Sequence, residues 1–553
     1  VKIVIIGGVA AGTSVAAKAR RNDEQAEIVI FDKDTDISYA VCGIPYVFTG
    51  EVENFDELSP RDTTFFKEKY NVDIFTRHEV LDVSYQEKKI IVKNLKNDEI
   101  FEEHFDKLVF ATGTYFNTPE VFQNVQAKNV FSVKDITSGK NIMNYLEQEE
   151  ANSVVIIGGG FVGLEMAEQL KKRGIATSIV VPHNQVMSTF DEDLALRIED
   201  EITRQGIWLI KNSEIVEIQG DKRVKTLVLE GDQELSADFF IVATGVKPLV
   251  TLAEKIGVKL GETGAIQVNS SMETNLENVY ATGDVAEKFS RINGKPLWLP
   301  LATHANKEGR IAGDAMTGGS SRNQGILGTS ILRFFDLTIG QTGLSEKMAK
   351  KQGYDVEILY NQKNDRPNYI SDKKILIKAV ADRKTHQLLG VQIIGNAGVD
   401  KRLDVFATAL SFGAKAEDLF QLDLAYSPVY STTKDPVNYT GMALTNALSR
   451  GKMITPAKLL SWLEAGEELQ LIDARPLQEY AENHIEGAKN IPLKELRTHL
   501  QGLDKEKRVV VYCNTGVTAN AAQNILLNEG FKEVYNLNGG NVNYQMMRNH
   551  MDG

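Results

Sequence analysis

The chain repeats one local pattern twice, and that repeat restricts the folds open to it. Lys2–Ile6 is an apolar run that meets Gly7-Gly8-Val9-Ala10-Ala11-Gly12 and then an alanine-rich helical stretch to Arg21. Ser153–Ile157 does the same, entering Gly158-Gly159-Gly160-Phe161-Val162-Gly163 and a helix from Leu164 to Arg173. Strand, glycine turn and helix in that order open a dinucleotide-binding α/β fold: glycine lets the backbone approach a pyrophosphate, and the helix N-terminus favours negative charge. The second copy has the full set Gly158, Gly160 and Gly163, with Glu165 one turn into the helix and Phe161 where an aromatic ring would gate a nicotinamide. The first has Gly7 and Gly12 but Val9 between them; Asp32, ending the strand Ile28–Phe31, stands where a carboxylate would accept both ribose hydroxyls. Ala111-Thr112-Gly113 and Gly283-Asp284 complete that first site, Asp284 as the carboxylate for a ribitol chain. Because the signature Asn278–Asp284 follows the second copy, the first domain is expected to resume after the second has been inserted into it.

With 553 residues, the chain is too long for one core and calls for roughly three or four domains. Segments from Thr329 to Asn446 mix apolar strands (Ile375–Val380, Leu388–Ile394) with a helix (Val399–Phe412), an α+β unit. Ser449 to Pro456 reads as a linker, after which strand and helix alternate again, with apolar runs at Leu469–Asp473 and Arg508–Tyr512. The net charge of -13 argues against a nucleic-acid surface, which needs clustered positive charge. The apolar start Val1–Ile6 runs straight into glycines and reads as a buried strand, no apolar run approaches membrane-spanning length, and no metal is expected. Two cysteines far apart, Cys42 and Cys513, fit a reducing cytoplasm better than a disulfide framework.

Both dinucleotide motifs, the Asn278–Asp284 signature and Cys42 shortly after Asp32 together make the first 450 or so residues resemble the pyridine nucleotide-disulfide oxidoreductases, and more narrowly coenzyme A disulfide reductases. The narrower likeness rests on Ser38-Tyr39-Ala40-Val41-Cys42-Gly43-Ile44-Pro45-Tyr46 and on Tyr426–Pro436. A single thiol cannot form an internal disulfide, so Cys42 pairs with a small thiol or is oxidised to sulfenic acid. The resemblance implies FAD on the first fold, with Lys33 and Ala302 added to its site, and NADH or NADPH on the second. It also implies a homodimer in which Tyr426 and Tyr369 reach the partner's flavin and thiol. Coenzyme A would lie against Lys18, Arg21, Ser38, Tyr39, Arg61, Asn306 and Lys434. Val41 departs from the family's asparagine before the cysteine, and Asp365–Tyr369 lacks its His and paired tyrosines.

Leu471–Arg475, His484–Pro492 and Val510–Thr518, in that order, resemble a single rhodanese domain, with Cys513 at the end of a strand entering a tight loop before a helix. Loop amides and the helix dipole would stabilise a persulfide there, with Asp473 and Arg475 ordering the loop. The loop lacks the arginine that many thiosulfate-using members place near Val517. The expected architecture is α/β: an FAD domain in two parts (1–118 and 247–324), an NAD(P)H domain (119–246), an α+β dimerisation domain (325–446), a linker (447–456) and an α/β rhodanese domain (457–553). The expected activity is NAD(P)H-driven, FAD-dependent reduction of coenzyme A persulfide, polysulfide or coenzyme A disulfide at Cys42, whose thiolate a helix N-terminus and the flavin environment would favour. The alternatives are an NADH oxidase or peroxidase using a Cys42 sulfenic acid, a sulfurtransferase with an accessory reductase, and a flavoprotein sensor.

Overall fold

The computed structural model describes residues 1–551, which form two compact units. The first comprises Val1–Val186 and Ile202–Ile326; the second comprises Met187–Glu201 and the chain from Leu327 onward.

In the first unit, a parallel sheet orders its strands Val279–Ala281, Lys107–Phe110, Lys2–Ile6, Glu27–Asp32 and Asp73–Thr76. Val279–Ala281 pairs with Lys107–Phe110 in parallel register, so the chain returns to its first sheet after completing another. That other sheet orders Trp208–Ile210, Ala176–Val180, Ser153–Ile157, Phe239–Val242 and Val130–Phe131. Both central strands are buried over nearly their whole length, which is why each reads as a continuous apolar run instead of an alternation. The helices Ala10–Asn22 and Phe161–Lys172 follow the glycine turns. Gly7 and Gly158 have φ of +107° and +119°. A Cβ on either would meet the carbonyl of Ala111 or Ala243 at 2.2 or 2.3 Å, so only glycine fits where helix, turn and neighbouring strand converge.

In the second unit, an antiparallel sheet orders Ser330–Phe334, Leu337–Gly343, Leu388–Gly395, Lys374–Asp382 and Val356–Asn364, with the helices Val399–Ser411 and Pro436–Ser449 in the same unit. A parallel sheet follows, ordered Lys452–Ile454, Val534–Leu537, Val509–Tyr512, Gln470–Asp473 and Lys489–Asn490. The stretch 447–456 is therefore not a free linker. Its helix runs to Ser449, and Lys452–Ile454 pairs with Tyr535–Leu537, because Gly451 and Pro456 bracket a short strand instead of marking a coil. Among the described residues no helix is long and apolar enough to cross a membrane.

Candidate active sites

The C-terminal edge of the first parallel sheet gathers one polar group after another. Parallel register brings the ends of Lys2–Ile6, Glu27–Asp32, Lys107–Phe110 and Val279–Ala281 side by side. The residues that follow those ends, Gly7 to Gly12, Asp32, Thr112-Gly113 and Gly283-Asp284, therefore share one crevice, where ligands bind in such sheets. Asp32 is buried, and its carboxylate accepts the amides of Gly8 at 2.6 Å and Asp34 at 2.9 Å; burial pushes its pKa up despite those bonds. Lys33 is exposed. The hydroxyl of Thr112 donates to the Leu249 carbonyl at 2.8 Å. Ala302 opens the helix Ala302–Ala315, and Asn306 on it accepts the Ser14 hydroxyl at 2.8 Å.

Under the Gly283-Asp284 turn lies a buried group that sequence reasoning missed. Lys288 donates to the carbonyls of Gly283 at 2.8 Å and Ala286 at 3.1 Å and pairs with Glu308 at 3.4 Å, while Glu308 accepts the Gly283 amide at 3.0 Å. Burial pushes Glu308 up to about 7 and His304 down to about 4. Asp284 Oδ1 is buried with no hydrogen-bond partner among the described residues, as is His304 Nδ1. Orphaned buried polar atoms are costly, and these, at the edge of a glycine-lined crevice, fit the ribitol and ring system of a flavin.

Cys42 sits on a short 3-10 turn, Val41–Gly43, that runs into the helical turn Ile44–Val47. The loop leading to it is tied to the first glycine turn. Ser38, at φ +51°, donates its amide to the Gly8 carbonyl at 3.0 Å, and Ala40 donates to Leu58 at 2.8 Å. The neighbouring Tyr39 is half-buried. On the other side the loop meets the second nucleotide helix: the Thr49 hydroxyl donates to Gln169 at 2.6 Å, Arg173 donates to the Phe48 carbonyl at 3.1 Å, and Tyr46 hydrogen-bonds Glu165. The Cys42 side is exposed to solvent on one flank, yet its crowded surroundings, followed by Glu165 and Asp284, raise the thiol's pKa. The chain's own groups by themselves disfavour the thiolate here. Burial first, and then the two carboxylates, outweigh the four-residue helical turn beside it, because lost hydration and like charge both disfavour the anion. Glu165 is itself pushed up to about 7, by burial and then by Glu168. In Glu165→Gln one of the two carboxylates is gone, so Cys42 is expected to ionise at lower pH. Its alkylation midpoint, followed against pH, should move to lower pH than in the unsubstituted enzyme.

The second glycine turn places Gly158, Gly160 and Gly163 at the start of the helix Phe161–Lys172, with Phe161 its partly buried first residue. The strand Ala176–Val180 leads into Val181-Pro182-His183, without a carboxylate.

Of the basic residues expected at a phosphate site, Lys18 is occupied by Asp314 at 2.9 Å and Asn22 at 2.9 Å. Arg21 lies over the Tyr70 ring at 5.3 Å and Arg61 over Phe65 at 5.6 Å. Lys69, which sequence reasoning missed, lies 5.2 Å from the Phe65 ring and 5.6 Å from Tyr70. The three cations thus stand on two adjacent rings, and among the described residues none of them pairs with a carboxylate.

In the second unit, Tyr369 is 74 % and Tyr426 48 % exposed. Both flank loops fixed by Arg402, a guanidinium only 1 % exposed. It donates to the Asp365 carbonyl at 3.0 Å, Ser431 at 3.1 Å, the Gly398 carbonyl at 3.1 Å and Asp435 at 3.0 Å.

Cys513 is buried at the end of Val509–Tyr512, and the Gly516 amide donates to its sulfur at 3.2 Å. Gly516, at φ +95°, turns the chain into the helix Val517–Asn528. Asp473 and Arg475 form a buried pair at 2.6 Å, and Arg475 reaches on to Asn514 at 3.2 Å and the Asn483 carbonyl at 2.6 Å. This ordering role matches the sequence expectation. An open cavity of about 580 Å³ adjoins Arg475 and Asn514 and is lined in part by residues of the helix Gly540–Met551.

The family description "pyridine nucleotide-disulphide oxidoreductase" matches residues 1–309. The chain belongs to that family. Its dimerisation domain matches 329–436, and a rhodanese-like domain matches 455–547. A "NAD(P)H sulfur oxidoreductase (CoA-dependent)" of Pyrococcus furiosus is 38 % identical, over 79 % of this oxidoreductase and 97 % of the relative. Among solved structures, "reduced Bacillus anthracis CoADR-RHD" superposes with TM-score 0.96 at 32 % identity, covering 99 % of this chain and 98 % of that one. A "NAD-Dependent Persulfide Reductase from A. fulgidus" does so with TM-score 0.90 at 31 % identity, over 98 % and 100 %. The α/β class with dimerisation and rhodanese domains is thereby established.

Proposed function

We propose that this chain is a rhodanese-fused member of the coenzyme A disulfide reductase group, and that it reduces coenzyme A persulfide, polysulfide or coenzyme A disulfide at Cys42 with electrons from NAD(P)H. The observation that carries this reading is the single thiol of Cys42 on a loop tied to the first glycine turn and to the helix that follows the second, within the influence of Asp284 from one fold and Glu165 from the other. FAD, when bound, would supply the two-electron chemistry that couples NAD(P)H oxidation to reduction at sulfur. Gly7, Gly12, Asp32, Lys33, Thr112, Gly113, Gly283, Asp284 and Ala302 would hold it; Gly158, Gly160, Phe161, Gly163 and Glu165 would hold the nicotinamide nucleotide.

The chain's own part is to bind, orient and move protons. Arg21, Arg61 and Lys69 offer positive charge on an aromatic floor for the phosphates of coenzyme A, with Ser38, Tyr39 and Asn306 nearer the thiol loop. The Cys42 thiolate attacks the inner sulfur of the persulfide, the S–S bond breaks, hydrosulfide leaves with the pair, and a mixed disulfide with coenzyme A remains. Two electrons then return Cys42 and coenzyme A to thiolates. Glu165, poised near neutrality, can hold the proton that the departing thiolate needs. In a homodimer, Tyr369 and Tyr426 would be presented to the partner's site, which accounts for aromatic side chains left exposed in a single chain. Two free thiols suit a cytoplasmic setting.

The test is stoichiometry. Anaerobic oxidation of NADH with coenzyme A persulfide should release one sulfide per NADH. No sulfide, with oxygen or peroxide consumed on admitting air, would overturn the reading in favour of a sulfenic-acid enzyme.

A further inference from the structure

The strand Val356–Asn364 carries Lys363 near its end. The Lys363 ammonium lies 3.9 Å from the ring centroid of Tyr439, and that of Lys434 lies 5.9 Å from the same ring. Among the described residues neither ammonium has a carboxylate or hydrogen-bond partner. The rhodanese sheet is registered on this same strand: Tyr360 donates its amide to Asn538 Oδ1 at 2.7 Å, and the Asn538 amide donates back to the Ile358 carbonyl. Three residues further on, Asn541 donates to the carbonyl of Cys513 at 2.8 Å. Lys363 thus lies three positions along the strand from Tyr360, the residue on which the segment holding Cys513 is docked, and the two side chains act on each other electrostatically. Burial lowers the Lys363 pKa; Cys513 opposes the shift and Lys434 adds to it. A half-buried ammonium beside a second one is stabilised by an anion. The cysteine loop itself, Asn514-Thr515-Gly516-Val517-Thr518, offers no cation, and Arg475 is consumed by Asp473, Asn483 and Asn514.

We propose that Lys363, with Lys434 beside it, is the cationic group of the Cys513 site, contributed by the dimerisation domain, and that it selects sulfane-sulfur donors bearing an oxyanion. The inference rests on reading Cys513 as the persulfide carrier. The Cys513 thiolate attacks the donor's outer sulfur and a new S–S bond forms. The donor's own S–S bond breaks, and its pair leaves with sulfite from thiosulfate, or with the thiolate of a phosphate-bearing persulfide. Charge and electrons balance without an external oxidant.

The experiment follows Cys513 modification in the full-length holoenzyme by rapid quench and peptide mass spectrometry, with thiosulfate, coenzyme A persulfide and the neutral dimethyl trisulfide as donors. Lys363→Ala is expected to lose about tenfold in second-order rate with an oxyanionic donor, the loss of one charge-assisted contact. It should stay within about twofold with the trisulfide, and Lys363→Arg should recover most of the loss. The wild-type rate with the sensitive donor should fall with added salt. Dependence with thiosulfate identifies the sulfonate as the group held, and dependence with coenzyme A persulfide alone identifies the phosphates. Equal losses for all three donors, or none, would overturn the role of Lys363. A wild-type enzyme whose Cys513 takes sulfur from no donor would overturn the reading of Cys513 itself, and the inference with it.

Discussion

Cys42→Ser is expected to cut NADH-driven sulfide release by about 10³-fold or more, the scale on which loss of a covalent nucleophile is felt, while leaving flavin and nicotinamide binding intact. Serine preserves the turn Val41–Gly43, since the side chain lies on its exposed flank and its removal opens no cavity. The hydroxyl cannot form a mixed disulfide and cannot return electrons as a thiolate. Reduction of the bound flavin by NADH, followed by absorbance, should therefore persist and stop there. Sulfide release surviving at more than a tenth of the wild-type rate would move the chemistry elsewhere, Cys513 being the remaining thiol.

Arg402→Ala is expected to destabilise the second unit by about 3 kcal/mol, the cost of leaving a buried charge without its main partner, Lys401 standing farther off at 3.7 Å. Asp435 is 3 % exposed. Burial opposes its ionisation, but bonds from Arg402, Ser431 and the Val437 amide win and hold its carboxyl below the ordinary value. A carboxylate depressed in the folded state stabilises above its unfolded pKa, so this contribution is present at neutral pH and is lost as pH falls below about 4. Without the guanidinium, the carbonyls of Asp365 and Gly398 also lose a donor. Chemical unfolding followed by limited proteolysis of the Asp365–Tyr369 and Tyr426–Asp435 loops would report both losses. The pair Arg402→Met with Asp435→Leu should recover most of the stability, because no charge is then left buried, but should not restore the tyrosine-bearing loops.

Both glycine turns, the return of the chain to its first sheet and the strand-ending cysteine were legible because each is a local pattern with one physical cause. Gly7 and Gly158 are demanded by a carbonyl 2.2–2.3 Å from where a Cβ would stand. The Lys288–Glu308 pair, Lys69 and Arg402 were not legible, since their partners lie on other segments and a lone charged residue reads as solvated. Lys378 shows the same limit. It interrupts an apolar strand and is nonetheless 1 % exposed, held by Asp193 at 2.7 Å and Glu346 at 2.8 Å. The surroundings of Cys42 show the same limit: sequence shows the helical turn beside the thiol but not Glu165 and Asp284 near it.

The Asn538 amide spans the backbone of Val356–Asn364, the outermost strand of its sheet. An outer strand with unpaired amides and carbonyls is a template on which further chains can stack, and one side chain here occupies the Ile358 carbonyl and the Tyr360 amide together. The C-terminal domain therefore covers part of that margin. Trimming it away, however cleanly the cut is made at a domain boundary, would hand the Ile358 carbonyl and the Tyr360 amide back to solvent.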